Sequence, residues 1–133
     1  MLRYMLDTNF CIRVLRDKPP SLRMRFNSVA TELCLSTIVL TELLVGAEKS
    51  ARPEVNRHKV DQFVARLSVL TFDDYAAAHA ADIRAGLERQ GMPIGAYDGL
   101  IAGHARSQGL VLVTNNLSEF QRVPGLLSED WLE

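Results

Sequence analysis

The length and composition of this 133-residue chain are those of an ordinary globular protein with one core. Hydrophobic residues make up 47% of the chain and charged residues 23%, which excludes a disordered or collagen-like protein. No apolar run approaches the roughly 20 residues of a transmembrane helix, and the N-terminus lacks the apolar segment of a signal peptide. We therefore expect one domain over residues 1–133, in the cytoplasm and without membrane contact.

The net charge of −1 gives no general attraction to nucleic acid, but the charges are unevenly distributed. Residues 1–26 have a balance of +4, and the remainder has a balance of −5. The basic residues of this first segment are Arg3, Arg13, Arg16, Lys18, Arg23 and Arg25. They could contact phosphates, although a solvated face is the commoner meaning of such a run.

The two cysteines, Cys11 and Cys34, form no CxxC pair and have no histidine cluster nearby. A buried free thiol is expected for each, because disulfides are rare in a reducing compartment. The sequence therefore gives no support for a zinc site.

Taken in chain order, apolar runs bounded by polar residues predict four strands and allow a short fifth. The strands are predicted at Arg3–Asp7, Leu33–Ser36, Ser68–Phe72, Leu110–Thr114 and Leu126–Glu129. The helices are predicted at Thr8–Asp17, Pro19–Ser28, Thr37–Ser50, Ala51–Leu67, Asp73–Gln90 and Ala96–Gln108. Thr8 and Ser36 are candidate N-caps, and Pro53 suits a first helical turn.

Strands that alternate with helices and are apolar on both faces indicate an α/β fold, with a parallel sheet covered on both sides. In such sheets the functional site lies beyond the carboxyl ends of the strands. Asp7 follows the first predicted strand, and Asn115 and Asn116 follow the fourth. We therefore expect these two motifs at the same edge of the sheet.

Three acids occupy positions where an ionised side chain is unusual. Asp7 ends an apolar strand, whereas Glu42 and Asp98 lie on helices among apolar or small neighbours. The neighbours three and four residues away are Ile38, Val39, Val45 and Gly46 for Glu42, and Ile94, Gly95, Ile101 and Ala102 for Asp98. Burying an unpaired carboxylate costs several kcal/mol. One shared Mg²⁺, which prefers oxygen ligands, would explain all three acids.

Each acid also has an ordinary structural explanation. Asp7 could cap the first helix, Glu42 could pair with a distant arginine, and Asp98 could interact favourably with the dipole of its own helix. These explanations are independent of one another, whereas a single metal site accounts for the three acids together.

Four short motifs resemble those of PIN-domain ribonucleases. They are Met5–Asn9, Ser36–Leu43, Pro93–Ala102, and Leu112–Asn116 together with Glu119 and Phe120. The closing segment Val123–Trp131 is similar to the tail of the bacterial VapC toxins. The resemblance runs from end to end, and four motifs in order are a specific signal.

The resemblance implies a three-layer α/β/α fold with a central parallel sheet of four or five strands. It also implies an acidic pocket that binds Mg²⁺, or Mn²⁺ as a substitute, and endonucleolytic cleavage of RNA to 5′-phosphate and 3′-hydroxyl ends. Asp7, Glu42 and Asp98 match the catalytic acids and metal ligands of the family. Thr114 and Asn116 match the polar residues that follow the fourth strand of the family.

Four further residues are candidates for contact with the substrate: Thr8, Arg13, Arg16 and Glu119. Many members of the family have Asp where this chain has Asn116, whose amide can donate a hydrogen bond but carries no charge. A subgroup of VapC toxins shares the Thr-Asn-Asn sequence, so this departure does not indicate an inactive site. It does put a second metal ion in doubt. Glu119 could compensate, or it could be an ordinary exposed acid.

The family resemblance also implies partners. A VapB-like antitoxin would wrap the toxin and place a basic side chain in the acidic pocket, and a homodimer or a toxin–antitoxin hetero-oligomer is expected. The subgroup resembles enzymes that cleave tRNA, and the anticodon loop of initiator tRNA is the first candidate target.

Other classes of protein fit less well. A receiver domain needs paired acids after the first strand and a lysine after the last, yet Asp7 stands alone and no lysine follows Lys59. A phosphatase that forms an aspartyl-phosphate needs an acid at the position of Asn9. A catalytically silent PIN scaffold that binds RNA or a partner protein remains the alternative, and retention of the three acids argues against it.

Overall fold

The structure is a computed structural model, and it describes residues 1–17 and 19–131. Lys18, which belongs to the basic N-terminal run, lies outside the described residues. The strands are β1 (Tyr4–Leu6), β2 (Leu33–Ser36), β3 (Ser68–Leu70), β4 (Val111–Val113) and β5 (Ser128–Glu129). The helices are α1 (Thr8–Leu15), α2 (Pro20–Ser28), α3 (Thr37–Glu48), α4 (Pro53–Val64), α5 (Asp74–Arg89), α6 (Ala96–Ser107) and α7 (Leu117–Phe120).

The five strands form one parallel sheet in the order β3-β2-β1-β4-β5. Parallel strands require crossover connections, and the intervening helices supply them. Helices therefore flank the sheet, and the predicted α/β/α fold with its parallel sheet is confirmed. The central strands are largely buried, with Met5, Leu6 and Leu112 at 0% exposure, as expected for a sheet covered on both faces.

The ends of several elements differ from the sequence prediction. Thr8 and Asp7 were both candidate caps of α1; Asp7 is the N-cap residue and Thr8 is the first helical residue. The helix ends at Leu15 because Asp17 adopts a left-handed backbone with φ of 57°, which a helix cannot continue. The prediction missed α7, which is a single turn. Ser36 caps α3 as predicted, since its hydroxyl accepts a hydrogen bond from the Ile38 amide.

The helices α5 and α6 approach each other closely at Gly103. A Cβ placed on Gly103 would lie 2.5 Å from the Cα of Ala80, so no larger residue fits without moving a helix backbone. This contact fixes the position of α6, which carries Asp98.

The two cysteines are free and buried, as predicted. Burial raises the pKa of the Cys34 thiol to about 12, so this thiol is a poor nucleophile. Within the described ranges we find no helix that is long and apolar enough to cross a bilayer.

Candidate active site

The topology brings three distant acids to the carboxyl edge of the sheet. Asp7 directly follows β1, Glu42 lies in α3 shortly after β2, and Asp98 lies in the first turn of α6. The charges of Asp7 and Glu42 both act on the carboxyl group of Asp98, which places the three acids in one electrostatic neighbourhood. The three acids therefore lie at one site.

Asp7 is the most buried of these acids, with 3% of its surface exposed. Its Oδ1 accepts a hydrogen bond of 2.8 Å from the Phe10 amide, which caps α1. Its Oδ2 accepts a hydrogen bond of 2.5 Å from the Thr114 hydroxyl at the end of β4. Asp7 thus serves as a helix cap and as a member of the acidic cluster, so the two explanations considered for it are compatible. The remaining lone pairs of both oxygens are left for a further ligand.

Thr114 and Asn116 connect Asp7 to the opposite side of the site. The Asn116 amide nitrogen donates a hydrogen bond of 2.9 Å to the Thr114 hydroxyl, which is itself bonded to Asp7. The side-chain amide of Asn116 donates a hydrogen bond of 2.8 Å to Oε2 of Glu119. Asn116 therefore orients an acid in this structure instead of contributing a charge.

Glu42 is held by a different threonine. The Thr8 hydroxyl donates a hydrogen bond of 2.6 Å to Oε1 of Glu42. Since Thr8 is the first residue of α1 and Glu42 lies in α3, this bond joins the two helices at the edge of the site. The suggested arginine partner of Glu42 is not found among its hydrogen bonds and ion pairs to the described residues.

Glu119 lies inside the site, so the reading of this residue as an ordinary exposed acid is wrong. Its side chain is 24% exposed. Its Oε1 accepts a hydrogen bond of 3.3 Å from the Gly95 amide, and its side chain is in hydrogen-bond contact with Asp98. Glu119 thus brings an acid to the side of the site where Asn116 carries no charge.

One arginine supports this side of the site, and the sequence analysis missed it. Arg122 donates hydrogen bonds to the carbonyl groups of Met92 (2.9 Å), Pro93 (3.3 Å) and Glu119 (3.2 Å). Its Nη2 lies 4.0 Å from Oε1 of Glu119. Arg122 thus fixes the loop that precedes Asp98. Hydrophobic periodicity could not reveal this role, because it joins backbone groups about 30 residues apart in the chain.

The pKa values of Asp7 and Asp98 are raised partly because other acids lie beside them. Burial is the main cause that raises the pKa of the Asp7 carboxyl, and the charges of Glu42 and Asp130 raise it further. The hydrogen bonds that Asp7 accepts act in the opposite direction. The pKa of Asp98 is raised to about 6, first by burial and then by the charges of Glu119, Asp7 and Glu42. The charged groups that shift these two acids are all negative. The site is therefore suited to a positive ligand.

The donor set fits a hard divalent cation. In the described part of the chain, no three His, Cys, Asp or Glu side chains are already arranged as a complete metal-binding group. Mg²⁺ does not require such a group, since it usually keeps several waters and takes one or two carboxylates together with substrate phosphates. Asp7, Asp98 and Glu42 are the residues that could hold it.

The basic N-terminal run does not form one surface. Arg3 lies 3.6 Å from Glu32, Arg23 lies 3.0 Å from Asp17, and the guanidinium of Arg25 lies 4.4 Å from the centre of the Trp131 ring. Arg13 and Arg16 are exposed on and just after α1. Among the described members of the run, these two have no ion-pair or ring partner, and they stay candidates for contact with RNA.

Comparison with known proteins identifies the family. The family model described as the PIN domain matches residues 4–126. The chain is 54% identical to a tRNA(fMet)-specific endonuclease VapC of Salmonella typhimurium, over 98% of this chain and 99% of that protein. It is 48% identical to the ribonuclease VapC2 of Haemophilus influenzae, over 99% of this chain and all (100%) of that protein.

Solved structures agree with the sequence relatives. A crystal structure of DNA-bound VapBC from Salmonella typhimurium contains a chain with a TM-score of 0.95 and 54% identity, covering 98% of this chain and 99% of that chain. The structure of VapBC2 from Rickettsia felis, bound to a DNA fragment from its promoter, gives a TM-score of 0.92 and 38% identity, with 98% and 99% covered. This chain therefore belongs to the PIN-domain family and, within it, to the VapC ribonucleases.

Proposed function

We propose that this protein is a metal-dependent endoribonuclease toxin that cleaves tRNA. The observation that carries the proposal is the convergence of Asp7, Glu42 and Asp98 at one sheet edge, where the charged groups that act on Asp7 and Asp98 are all acids. Initiator tRNA is the first candidate substrate, because the relative from Salmonella typhimurium is named for that tRNA. The anticodon loop is the expected target, since proteins read RNA sequence mainly in unpaired loops.

The proposed mechanism assigns one task to each polar residue. Asp7, Glu42 and Asp98 hold Mg²⁺, or Mn²⁺ in its place, and such an ion supplies Lewis-acid activation of water and neutralises charge on the phosphate. The Thr114 hydroxyl fixes the orientation of Asp7, and the Thr8 hydroxyl fixes that of Glu42. Burial and the neighbouring charge of Glu119 raise the pKa of Asp98 to about 6, so Asp98 is ready to accept a cation near neutral pH.

The proposed partner is a VapB-like antitoxin. Structures of related proteins from Salmonella typhimurium and Rickettsia felis are VapBC complexes, which supports a partner of this kind for the present chain. A basic side chain delivered by the antitoxin would satisfy the acids in place of a metal ion. We also expect the protein to act in the cytoplasm, and a homodimer or hetero-oligomer stays a prediction.

Sequencing of RNA ends after induced expression tests the proposed function. Wild-type protein and Asp7→Asn would be expressed side by side without an antitoxin. We expect new 5′-phosphate ends at one position of a tRNA with the wild type, and none with Asp7→Asn. Identical RNA ends in both samples would contradict a nuclease role and would favour the silent scaffold.

A further inference from the structure

We propose that the RNA strand leaving the acidic site follows a basic groove between α1, α2, α3 and α4. The groove consists of two adjoining cavities, of about 280 and 420 Å³, that share Leu15 and Lys59. Glu42 lines the inner cavity, so the groove begins at the acidic site itself. This inference rests on the proposed function, because it assigns a path to the substrate of that same site.

The charge of the groove favours a polyanion. Its four cationic side chains are Arg16 and Lys59 in the inner cavity, and Arg23 and Arg66 with the shared Lys59 in the outer one. Of the described residues that line the two cavities, only one is an acid, namely Glu42 in the inner cavity. A chain with a net charge of −1 thus concentrates positive charge beside its acidic site. Such a stripe is the usual electrostatic footprint of a nucleic-acid backbone.

The cations are placed for an external ligand. Arg16 and Lys59 are exposed, and neither forms an ion pair with an acid of the described residues. The guanidinium of Arg66 lies over the Phe26 ring, 5.2 Å from its centre, and donates a hydrogen bond to the neutral side chain of Asn27. Its charge is therefore oriented without being neutralised. Arg23 differs, because Asp17 lies 3.0 Å away.

The outer part of the groove follows one face of a helix. Lys59, Gln62, Phe63 and Arg66 are spaced by three and four residues, which places them in one stripe along α4 and its C-terminal end. The stripe is about 10 Å long at the rise of an α-helix. Arg57 and Asp61 form an ion pair on α4 and do not line the groove, so they provide an internal control.

Binding of a fluorescently labelled initiator tRNA transcript tests the groove. The protein would be Asp7→Asn, which prevents cleavage, with and without Lys59→Ala and Arg66→Ala together. The control would be Asp7→Asn with Arg57→Ala and Arg84→Ala in place of the two groove substitutions. It loses the same two positive charges, but from residues that lie outside the groove. We expect the groove variant to raise Kd about tenfold or more, and to reduce the salt dependence by about 0.7 per lost phosphate contact. The control should change neither quantity comparably.

Cleavage kinetics add a second readout. With Asp7 intact, the groove variant should raise KM for the transcript while kcat changes little, because the acidic site is untouched. Equal losses of affinity in the groove and control variants would overturn the inference, as would unchanged binding or no binding at all. Normal RNA binding with weakened binding of a VapB-like antitoxin would also overturn it and assign the groove to a protein. Wild-type protein that cleaves no RNA would instead refute the proposed function.

Discussion

The acids of this protein occupy two contrasting environments. On the helix surfaces, acids lie beside arginines: Asp61 is 3.2 Å from Arg57, Glu88 is 3.0 Å from Arg84, and Asp82 is 2.8 Å from Arg106. At the carboxyl edge of the sheet, Asp7, Glu42, Asp98 and Glu119 lie beside one another. The surface acids are balanced by arginines, and Glu119 has Arg122 at 4.0 Å, whereas Asp7, Glu42 and Asp98 have no cationic partner among the described residues.

The pKa values of a surface acid and an edge acid are shifted in opposite directions. The hydrogen bond and the charge of Arg106 lower the pKa of Asp82. Burial and the charge of Glu119 raise the pKa of Asp98 to about 6. Unfavourable placement of charge is typical of functional sites, because the free energy it costs is recovered when the ligand binds.

Removing an edge acid should have the largest effect on activity. Asp7→Asn, Glu42→Gln and Asp98→Asn should each reduce tRNA cleavage at least about a hundredfold, as expected when a group that stabilises developing charge is lost. Single-turnover cleavage of a labelled tRNA transcript measures the effect. Asp82→Asn is the surface control and should cleave normally. Full activity in any purified edge variant would break the comparison.

Mg²⁺ should stabilise the folded protein in a way that depends on pH. Binding at about 100 times Kd adds about 2.7 kcal/mol to the free energy of unfolding. The pKa of Asp98 is raised to about 6 from 3.8, so the metal-free fold gains stability as the pH falls through this range, because the folded state binds the proton first. The Mg²⁺ effect should be lost over the same range, since a ligand must be ionised.

Thermal melting at a series of pH values, with Mg²⁺ and with EDTA, checks this prediction. Asp98→Asn should remove most of the pH dependence in both conditions. A stabilisation by Mg²⁺ that is unchanged well below pH 6 would show that the ion does not bind at Asp98.

The two threonines of the site should differ in importance. Thr114→Val leaves the buried Oδ2 of Asp7 without its hydrogen-bond donor, and should cost about 1–3 kcal/mol of stability. It should also weaken divalent-metal binding by about 10–100-fold. Thr8→Val should cost less, because the Glu42 carboxylate that it frees is only partly buried and can bind water. Urea unfolding of both variants compares them, and equal losses would contradict the assigned difference in burial.

The smallest effect is expected for a surface acid. Glu88→Gln removes an exposed ion pair between residues four apart on α5, and should lower stability by about 0.3–0.5 kcal/mol. Near neutral pH and without metal, Asp98→Asn should do the opposite and raise stability, because it removes repulsion among acids. Paired denaturation curves in EDTA measure both changes. A loss of stability in Asp98→Asn would contradict the distinction between the two environments.

The sequence predicted the parallel sheet from its strand and helix pattern. It predicted the meeting of Asp7, Glu42 and Asp98 from their apolar surroundings and from the family resemblance. It did not predict which residue caps α1, since Asp7 and Thr8 are both good N-caps and the choice depends on the hydrogen bond to Phe10. The inward position of Glu119 depends on Asn116 and on the Gly95 loop, 24 residues away. Such contacts between distant segments have no periodicity that the sequence could reveal.

The basic groove could be predicted only in part. The early run of cations contains Arg16 and Arg23, but Lys59 and Arg66 come from α4 and its end. Arg25, which belongs to the run, instead lies over Trp131. Proximity along the chain was therefore a poor guide to which cations share a surface.

Calorimetric titration of the metal-free protein with Mn²⁺ is the most direct test of the acidic edge as a cation site. The titration would compare wild type, Asp98→Asn and the surface control Asp82→Asn at near-neutral pH. We expect saturable binding to the wild type and to Asp82→Asn, and binding that is abolished or greatly weakened in Asp98→Asn. The same affinity in all three proteins, or no binding to the wild type, would show that the acidic edge is not a cation site.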